Sequence, residues 1–276
     1  MNDHLVPGLY IVATPIGNLS DLSPRAASIL AAADLIAAED SRVTAKLLAH
    51  IGVKRPMVAY HDHNEDQLRP SLVAKMADQA IALVSDAGTP LISDPGFKLV
   101  RDARAAGRNV VSIPGPCAAV AALTLSGLPT DRFLFIGFLP AKASARAAAI
   151  EEVRHIRATL IFYESGPRLG AALAALAKGL GEREAAVVRE ISKKFEETMT
   201  GSLTELSGRY ANDPPKGEIV IIVGPPGEAA PASDADIDRA LRDAMQTETA
   251  SRAAAQVAEA LGVPRKRVYE RAMALK

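Results

Sequence analysis

The segment with the densest chemical content is Ser85-Asp86-Ala87-Gly88-Thr89-Pro90-Leu91-Ile92-Ser93-Asp94-Pro95-Gly96. Gly88 and Gly96 let the backbone come close to a ligand, and Pro90 and Pro95 stiffen the turn. An apolar run precedes it and a helical one follows. That places it beyond the carboxyl end of a strand, where open α/β sheets bind ligands. Two further stiff loops, Thr14-Pro15-Ile16-Gly17-Asn18 and Pro114-Gly115-Pro116-Cys117-Ala118, also follow apolar runs. Three such loops can close one pocket. No G-x-G-x-x-G follows a strand and no G-x-x-x-x-G-K-[ST] occurs, so neither a dinucleotide fold nor a P-loop NTPase is supported.

His61-Asp62-His63, with Glu65 and Asp66 behind it, offers donor types that suit zinc or manganese. Two histidines at i and i+2 share a face only on an extended segment, and the charges after them have the character of a solvated helix start. No metal is therefore expected.

The loops need a scaffold, and short apolar runs supply it at Leu9 to Ala13, Leu35 to Ala38, Met57 to Tyr60, Ile81 to Ser85 and Val110 to Ile113. With helical stretches between them, this is an α/β rhythm. Ser23 caps a helix that opens on Pro24 and runs through alanines to Ala33. A second helix spans Thr44 to Ile51 before Gly52, and a third spans Phe97 to Ala106 before Gly107. After an apolar helix from Ala118 to Ser126, a new series of strands begins: Phe133 to Phe138, Thr159 to Tyr163, Ala186 to Ile191 and Ile219 to Val223. The stretch Glu196 to Gly201 follows Glu190 too closely for a crossover helix, so the last strands should run antiparallel.

Residues 224–233 hold Pro225, Pro226, Gly227 and Pro231 and have the composition of a linker. Beyond it, Ala253, Val257, Ala258 and Leu261 share one helical face, Gly262 makes a turn, and Val263, Val268 and Tyr269 belong to a second helix, the spacing of a helix-turn-helix. The expected division is an N-terminal α/β domain over 1–116, a second over 117–226, and linker plus helical module over 227–276.

With 276 residues, 49% of them hydrophobic, the chain can bury more than one core. Its 32 basic and 32 acidic residues leave no net field of the kind that coats nucleic acid, so any RNA contact must be a local basic patch. Cys117 is the only cysteine, which excludes an intrachain disulfide framework and fits a reducing compartment. The start lacks a signal peptide's charged and apolar regions, and no run approaches the roughly 20 apolar residues of a membrane span. A cytoplasmic location is expected.

Ala-Glu-Asp-Ser-Arg at 38–42, Tyr-His-Asp-His-Asn-Glu at 60–65, the 85–96 loop, Phe-Tyr-Glu-Ser at 162–165, Arg-Glu-Ile-Ser-Lys-Lys-Phe-Glu-Glu at 189–197 and Lys-Gly-Glu at 216–218 together resemble the small-subunit ribosomal RNA cytidine-2′-O-methyltransferase family of the tetrapyrrole methylase superfamily. The resemblance runs in order from about residue 8 to residue 224, and the last module is similar to that family's helix-turn-helix extension. It implies the two-domain class III methyltransferase fold, with S-adenosylmethionine in the cleft between the α/β domains, usually in a homodimer. It also implies 2′-O-methylation of a cytidine in the decoding region of 16S rRNA within the small subunit.

Carried over by position, the resemblance implies cofactor contacts at Pro15, Thr89, Pro90, Ile92, Cys117, Ala118, Tyr163, Glu164, Ser192 and Gly217. Two positions depart from the pattern. Thr89 stands where tetrapyrrole-modifying relatives have Asp, which argues against a porphyrinoid substrate. Glu164-Ser165-Gly166-Pro167-Arg168 lacks the His of the usual Glu-Ser-Pro-His-Arg.

A sulfonium is already a good leaving group, so methyl transfer to a ribose hydroxyl needs placement first and a base second. Candidates for the base are Glu39, Glu164 and a Lys193 made less basic by burial, with Arg42 as a phosphate or ribose anchor. His61 and His63 are candidate RNA contacts. Arg265, Lys266, Arg267 and Arg271 either meet phosphates or form an ordinary solvated face. Two other functions stay open: methylation of a tetrapyrrole or other small molecule on the same scaffold, and DNA-binding regulation through the terminal module, which leaves the loops of the larger domains unexplained.

Overall fold

The computed structural model describes residues 4–227 and 233–275. Residues 1–3 and the part of the expected linker at 228–232 lie outside the described residues. The chain forms two compact units, Met1–Pro225 and Pro226–Lys276.

The first unit holds two sheets. Five parallel strands, β1 (Gly8–Val12), β2 (Leu35–Ala38), β3 (Met57–Ala59), β4 (Ala80–Val84) and β5 (Val110–Ile113), line up in the order β3-β2-β4-β1-β5. β1 and β4 are apolar almost throughout because helices cover both faces, as parallel sheets require. One face packs α1 (Pro24–Ala32) and α2 (Ser41–His50) through Leu30, Leu47 and Leu48; the other packs α3 (Glu65–Lys75) and α4 (Phe97–Ala105) through Leu72 and Leu99. Ser23 caps α1, its hydroxyl accepting from Ala26 N. α2 begins three residues before the expected Thr44, because the Asp40 carboxylate accepts from Arg42 N and caps it. α3 carries Pro70 and a weak apolar stripe, which hid most of it from a periodicity argument.

The chain leaves the first sheet after β5, and α5 (Ala118–Leu125) packs on the second through Ala119, Ala122 and Leu123. That sheet has the order β6-β7-β10-β8-β9, built from β6 (Phe133–Phe138), β7 (Thr159–Ser165), β8 (Glu184–Arg189), β9 (Glu197–Ser202) and β10 (Glu218–Val223). Only β6 and β7 pair in parallel; β8 and β9 form the expected antiparallel pair, and β10 runs antiparallel to both neighbours. α6 (Ala143–Val153), α7 (Leu169–Leu180) and α8 (Leu203–Arg209), which the sequence reading left unassigned, cover its opposite face.

The second unit is a three-helix module: α9 (Asp234–Ala244), α10 (Ala250–Leu261) and α11 (Arg265–Ala274). Gly262 ends α10 in the left-handed conformation (φ 62°) expected of the turn glycine. Ala253, Val257 and Ala258 are buried against Ile237, Leu241 and Val268, while Tyr269 stays exposed. α9 completes a core that two helices alone could not close.

Candidate functional site

All five strands of the first sheet run in parallel, so the loops after β1, β2, β4 and β5 leave from one edge. Hydrogen bonds lock these loops together. Thr14 and Gly88 pair backbone to backbone, at 2.9 and 3.1 Å, joining the loops after β1 and β4. Thr89 Oγ1 donates to the Pro116 carbonyl at 2.9 Å and ties in the loop after β5. Asp86 N donates to Glu39 Oε2 at 3.2 Å, and Asp40 N to Asp86 Oδ1 at 2.9 Å, which fixes the loop after β2. Leu91 and Ser93 take positive φ (75° and 67°), a cost that ordinary side chains bear only where surrounding contacts hold them.

The second sheet presents the ends of β7 and β8 and the start of β10 to this edge, with Ile219 registered beside Glu164 and Arg189. Between the two sheets lie two adjoining cavities, of about 240 and 520 Å³, which share Ile16, Asp86, Ala87, Lys193 and Glu218.

The smaller cavity is acidic: Glu39, Asp94, Glu164 and Glu190 line it alone, with no basic residue outside the shared Lys193. Glu164 is 2% exposed. Its Oε1 accepts from Ser165 N at 2.9 Å and stands 3.1 Å from Arg168 Nε, yet its buried Oε2 has no hydrogen-bond partner among the described residues. A half-satisfied buried carboxylate is costly unless something meets it. Burial raises the Asp94 carboxyl to about 6, with Glu39, Asp86 and Glu218 adding repulsion against a hydrogen bond from Ser85 that opposes the rise. Burial likewise raises Glu39 and Asp86, each held back by a backbone hydrogen bond. Tyr163 is raised by burial and accepts from Ala119 N at 3.1 Å.

Of the expected cofactor contacts, Thr89, Ile92, Cys117, Ala118, Tyr163 and Glu164 line the smaller cavity, and Pro15 and Gly217 line the larger. Pro90 and Ser192 line neither. Pro90 is buried, and the Ser192 hydroxyl is turned to donate to Asp21. Among the base candidates, Glu39 and Glu164 face the smaller cavity. Lys193 borders both cavities but is not the buried amine expected: its side chain is 35% exposed and its Nζ pairs with Glu190 Oε1 at 3.1 Å. The Arg42 guanidinium points to solvent, 88% exposed, and is held by Asp40 at 2.6 Å, so it lines neither cavity.

His63 is exposed, and His61, partly buried, lies near enough to Glu39 to act on its charge; neither lines a cavity. Glu65 behind them binds Lys98 at 2.8 Å, and among the described residues no group of three or more His, Cys, Asp or Glu is arranged around a metal-sized space. On α11, Arg265 and Lys266 are exposed, whereas Arg267 reaches Asp234 at 2.7 Å and Arg271 holds Asp238 and Asp234. Those last two arginines fasten α11 to α9, which narrows the solvated basic face to Arg265 and Lys266.

Asp94, Asp86, Glu190 and Glu218 had no role in the sequence reading. The signal was present in a form that needs the topology: an acid recurs at or just past a strand end at Glu39, Asp86, Glu164 and Glu190, and at the first residue of β10.

The chain matches the Tetrapyrrole (Corrin/Porphyrin) Methylases family over residues 8–207 and the RsmI C-terminal HTH domain over residues 231–276. It is 54% identical over 272 residues to "Ribosomal RNA small subunit methyltransferase I" of Erythrobacter litoralis, covering 99% of this chain and 96% of that protein. The protein of that name from Escherichia coli O157:H7 is 47% identical over 271 residues, covering 96% and 94%. Among solved structures, diphthine synthase aligns with a TM-score of 0.62 at 16% identity, over 78% of this chain and 89% of the other. Uroporphyrin-III C-methyl transferase from Thermus thermophilus, complexed with S-adenyl homocysteine, aligns with a TM-score of 0.54 at 19% identity, over 79% and 97%. At these identities the structural likeness establishes the fold.

Proposed function

The chain belongs to the ribosomal RNA small subunit methyltransferase I family, and we propose that it transfers a methyl group from S-adenosylmethionine to the 2′-hydroxyl of a cytidine in the decoding region of 16S rRNA. The observation that carries the reading is the acid-lined cavity with its buried, half-unpartnered Glu164, a counter-charge suited to a cationic ligand. S-adenosylmethionine, when bound, supplies an electrophilic methyl on a sulfonium leaving group. Thr89, Ile92, Cys117, Ala118, Tyr163 and Glu164 would hold it, the backbone of the 85–96 loop at close range and the Ile92 side chain as an apolar wall.

The remaining work falls to this chain's own groups. A ribose hydroxyl must approach in line and give up a proton. Glu39 and Asp94 are carboxylates at the cavity wall whose basicity is raised by burial, so each is a better proton acceptor near neutral pH than a solvated carboxylate. The reading carries with it a homodimeric state and a cytoplasmic setting beside the ribosome; no helix among the described residues is long and apolar enough to cross a membrane.

The test is incubation of the protein with labelled S-adenosylmethionine and small ribosomal subunits that lack the modification, followed by mass mapping of the rRNA. Label on one cytidine ribose is the expected result. Label on a base, or transfer to a tetrapyrrole and none to rRNA, overturns the assignment.

A further inference from the structure

The two adjoining cavities divide their charges. Every acid confined to one cavity belongs to the smaller: Glu39, Asp94, Glu164 and Glu190. The larger has no acid of its own; Asp86 and Glu218 stand on the border that both share. What the larger cavity has to itself is an apolar wall, the buried hydroxyl residues Thr14, Thr44 and Ser85, and Lys46. Leu19 and Val43 are 46% and 38% exposed there, beside the buried Leu47. Lys46 is exposed and has no ion-pair partner among the described residues.

We propose that the larger cavity seats the nucleotide that receives the methyl group, its base against Leu19, Val43 and Leu47 and a flanking phosphate on Lys46. A volume of about 520 Å³ is the size of a small-molecule site, large enough for one nucleotide. Exposed aliphatic side chains beside an uncompensated lysine match a nucleotide, whose base is apolar on its faces and whose phosphate is anionic, and do not match a cationic ligand. The ribose hydroxyl has to reach the methyl donor, and this pocket adjoins the smaller cavity, sharing Ile16, Asp86, Ala87, Lys193 and Glu218 with it.

Lys193 stands on the border and is held in place. Its side chain lies across Gly17, where a Cβ would come within 2.5 Å of Lys193 Cγ, and its Nζ is tied to Glu190. It therefore places a positive charge on the border between the acidic compartment and the one that holds Lys46.

The inference rests on the rRNA-methylation reading, so the experiment begins with the wild-type protein. Wild-type chain, Lys46→Ala and Val43→Asp are compared for S-adenosylmethionine affinity by calorimetry and for KM on small subunits lacking the modification. Both variants lie on the exposed face of α2, and circular dichroism checks that they fold. The expected result is an unchanged cofactor affinity with KM for subunits raised about tenfold, in Lys46→Ala by loss of one phosphate contact and in Val43→Asp by a charge set against the base. An unchanged KM, or a cofactor affinity that falls with it, overturns the assignment of the cavity. A wild-type protein that methylates no subunit overturns the functional reading itself, and the assignment falls with it.

Discussion

Lys193 lies directly against Gly17, its Cγ 2.5 Å from where a Cβ on that glycine would stand. The contact joins the loop after β1 to the turn between β8 and β9 across the border of the two cavities. Because the Lys193 stem is flexible but its Nζ is tied to Glu190, Gly17→Ala should displace the lysine and open the border between the cavities. The expected outcome is a normal far-ultraviolet spectrum with methyl transfer reduced by at least tenfold, an order-of-magnitude effect of misplacement near a reacting group. Wild-type activity would show that the close approach is incidental.

Glu164 provides a test of the cation site. If its unpartnered Oε2 meets positive charge, Glu164→Gln should weaken S-adenosylmethionine binding by about ten- to a hundredfold, the range for a charged hydrogen bond. S-adenosylhomocysteine, whose sulfur is neutral, should lose less. An equal loss for both ligands would set Glu164 against a group that the two share, such as the α-ammonium, and no loss for either would end the cation-site reading.

Asp94 carries a pH prediction. Its carboxyl is raised to about 6, chiefly by burial, and a proton acceptor works only when deprotonated. Single-turnover transfer should therefore rise as pH increases through about 6 and level off above it. Asp94→Asn should remove that limb and slow the step by about 10²-fold or more. A variant that keeps the limb leaves Glu39 as the better candidate, since burial raises it too.

The terminal module yields a prediction about salt. Arg265 and Lys266 are its solvated basic residues on α11, and replacing both with alanine should weaken binding to small subunits and flatten the logarithmic salt dependence by roughly two. Cofactor affinity should stay constant. Arg271→Ala should instead loosen the module, because Arg271 binds both Asp234 and Asp238 on α9. Thermal melting of the full chain followed by circular dichroism separates the two effects; an unchanged salt slope in the double variant ends the docking hypothesis.

The sequence by itself determined the strands, the loops and the class of chemistry. Apolar runs of strand length, Gly and Pro in the 85–96 loop, the Ser23-Pro24 cap and Gly262 are local signals, because backbone stereochemistry and side-chain periodicity act over a few residues. They located every strand to within a few residues and found the helix-turn-helix. Local signals fail where they conflict or fall silent, as in α3 with Pro70, or α9, whose buried face has meaning only against α10.

Tertiary structure alone decided which groups meet. Glu39, Asp94, Glu164 and Glu190 are scattered over some 150 residues, and no spacing rule unites them. They converge because parallel strands of one sheet and two strands of the other end at the same edge. Whether a charged residue serves the site or the scaffold is decided the same way. Arg265, Lys266, Arg267 and Arg271 read alike in the sequence, but folding places Asp234 and Asp238 of α9 beside the last two. Burial follows the same logic, since the desolvation that raises Asp94 belongs to the packed cleft and to no stretch of sequence.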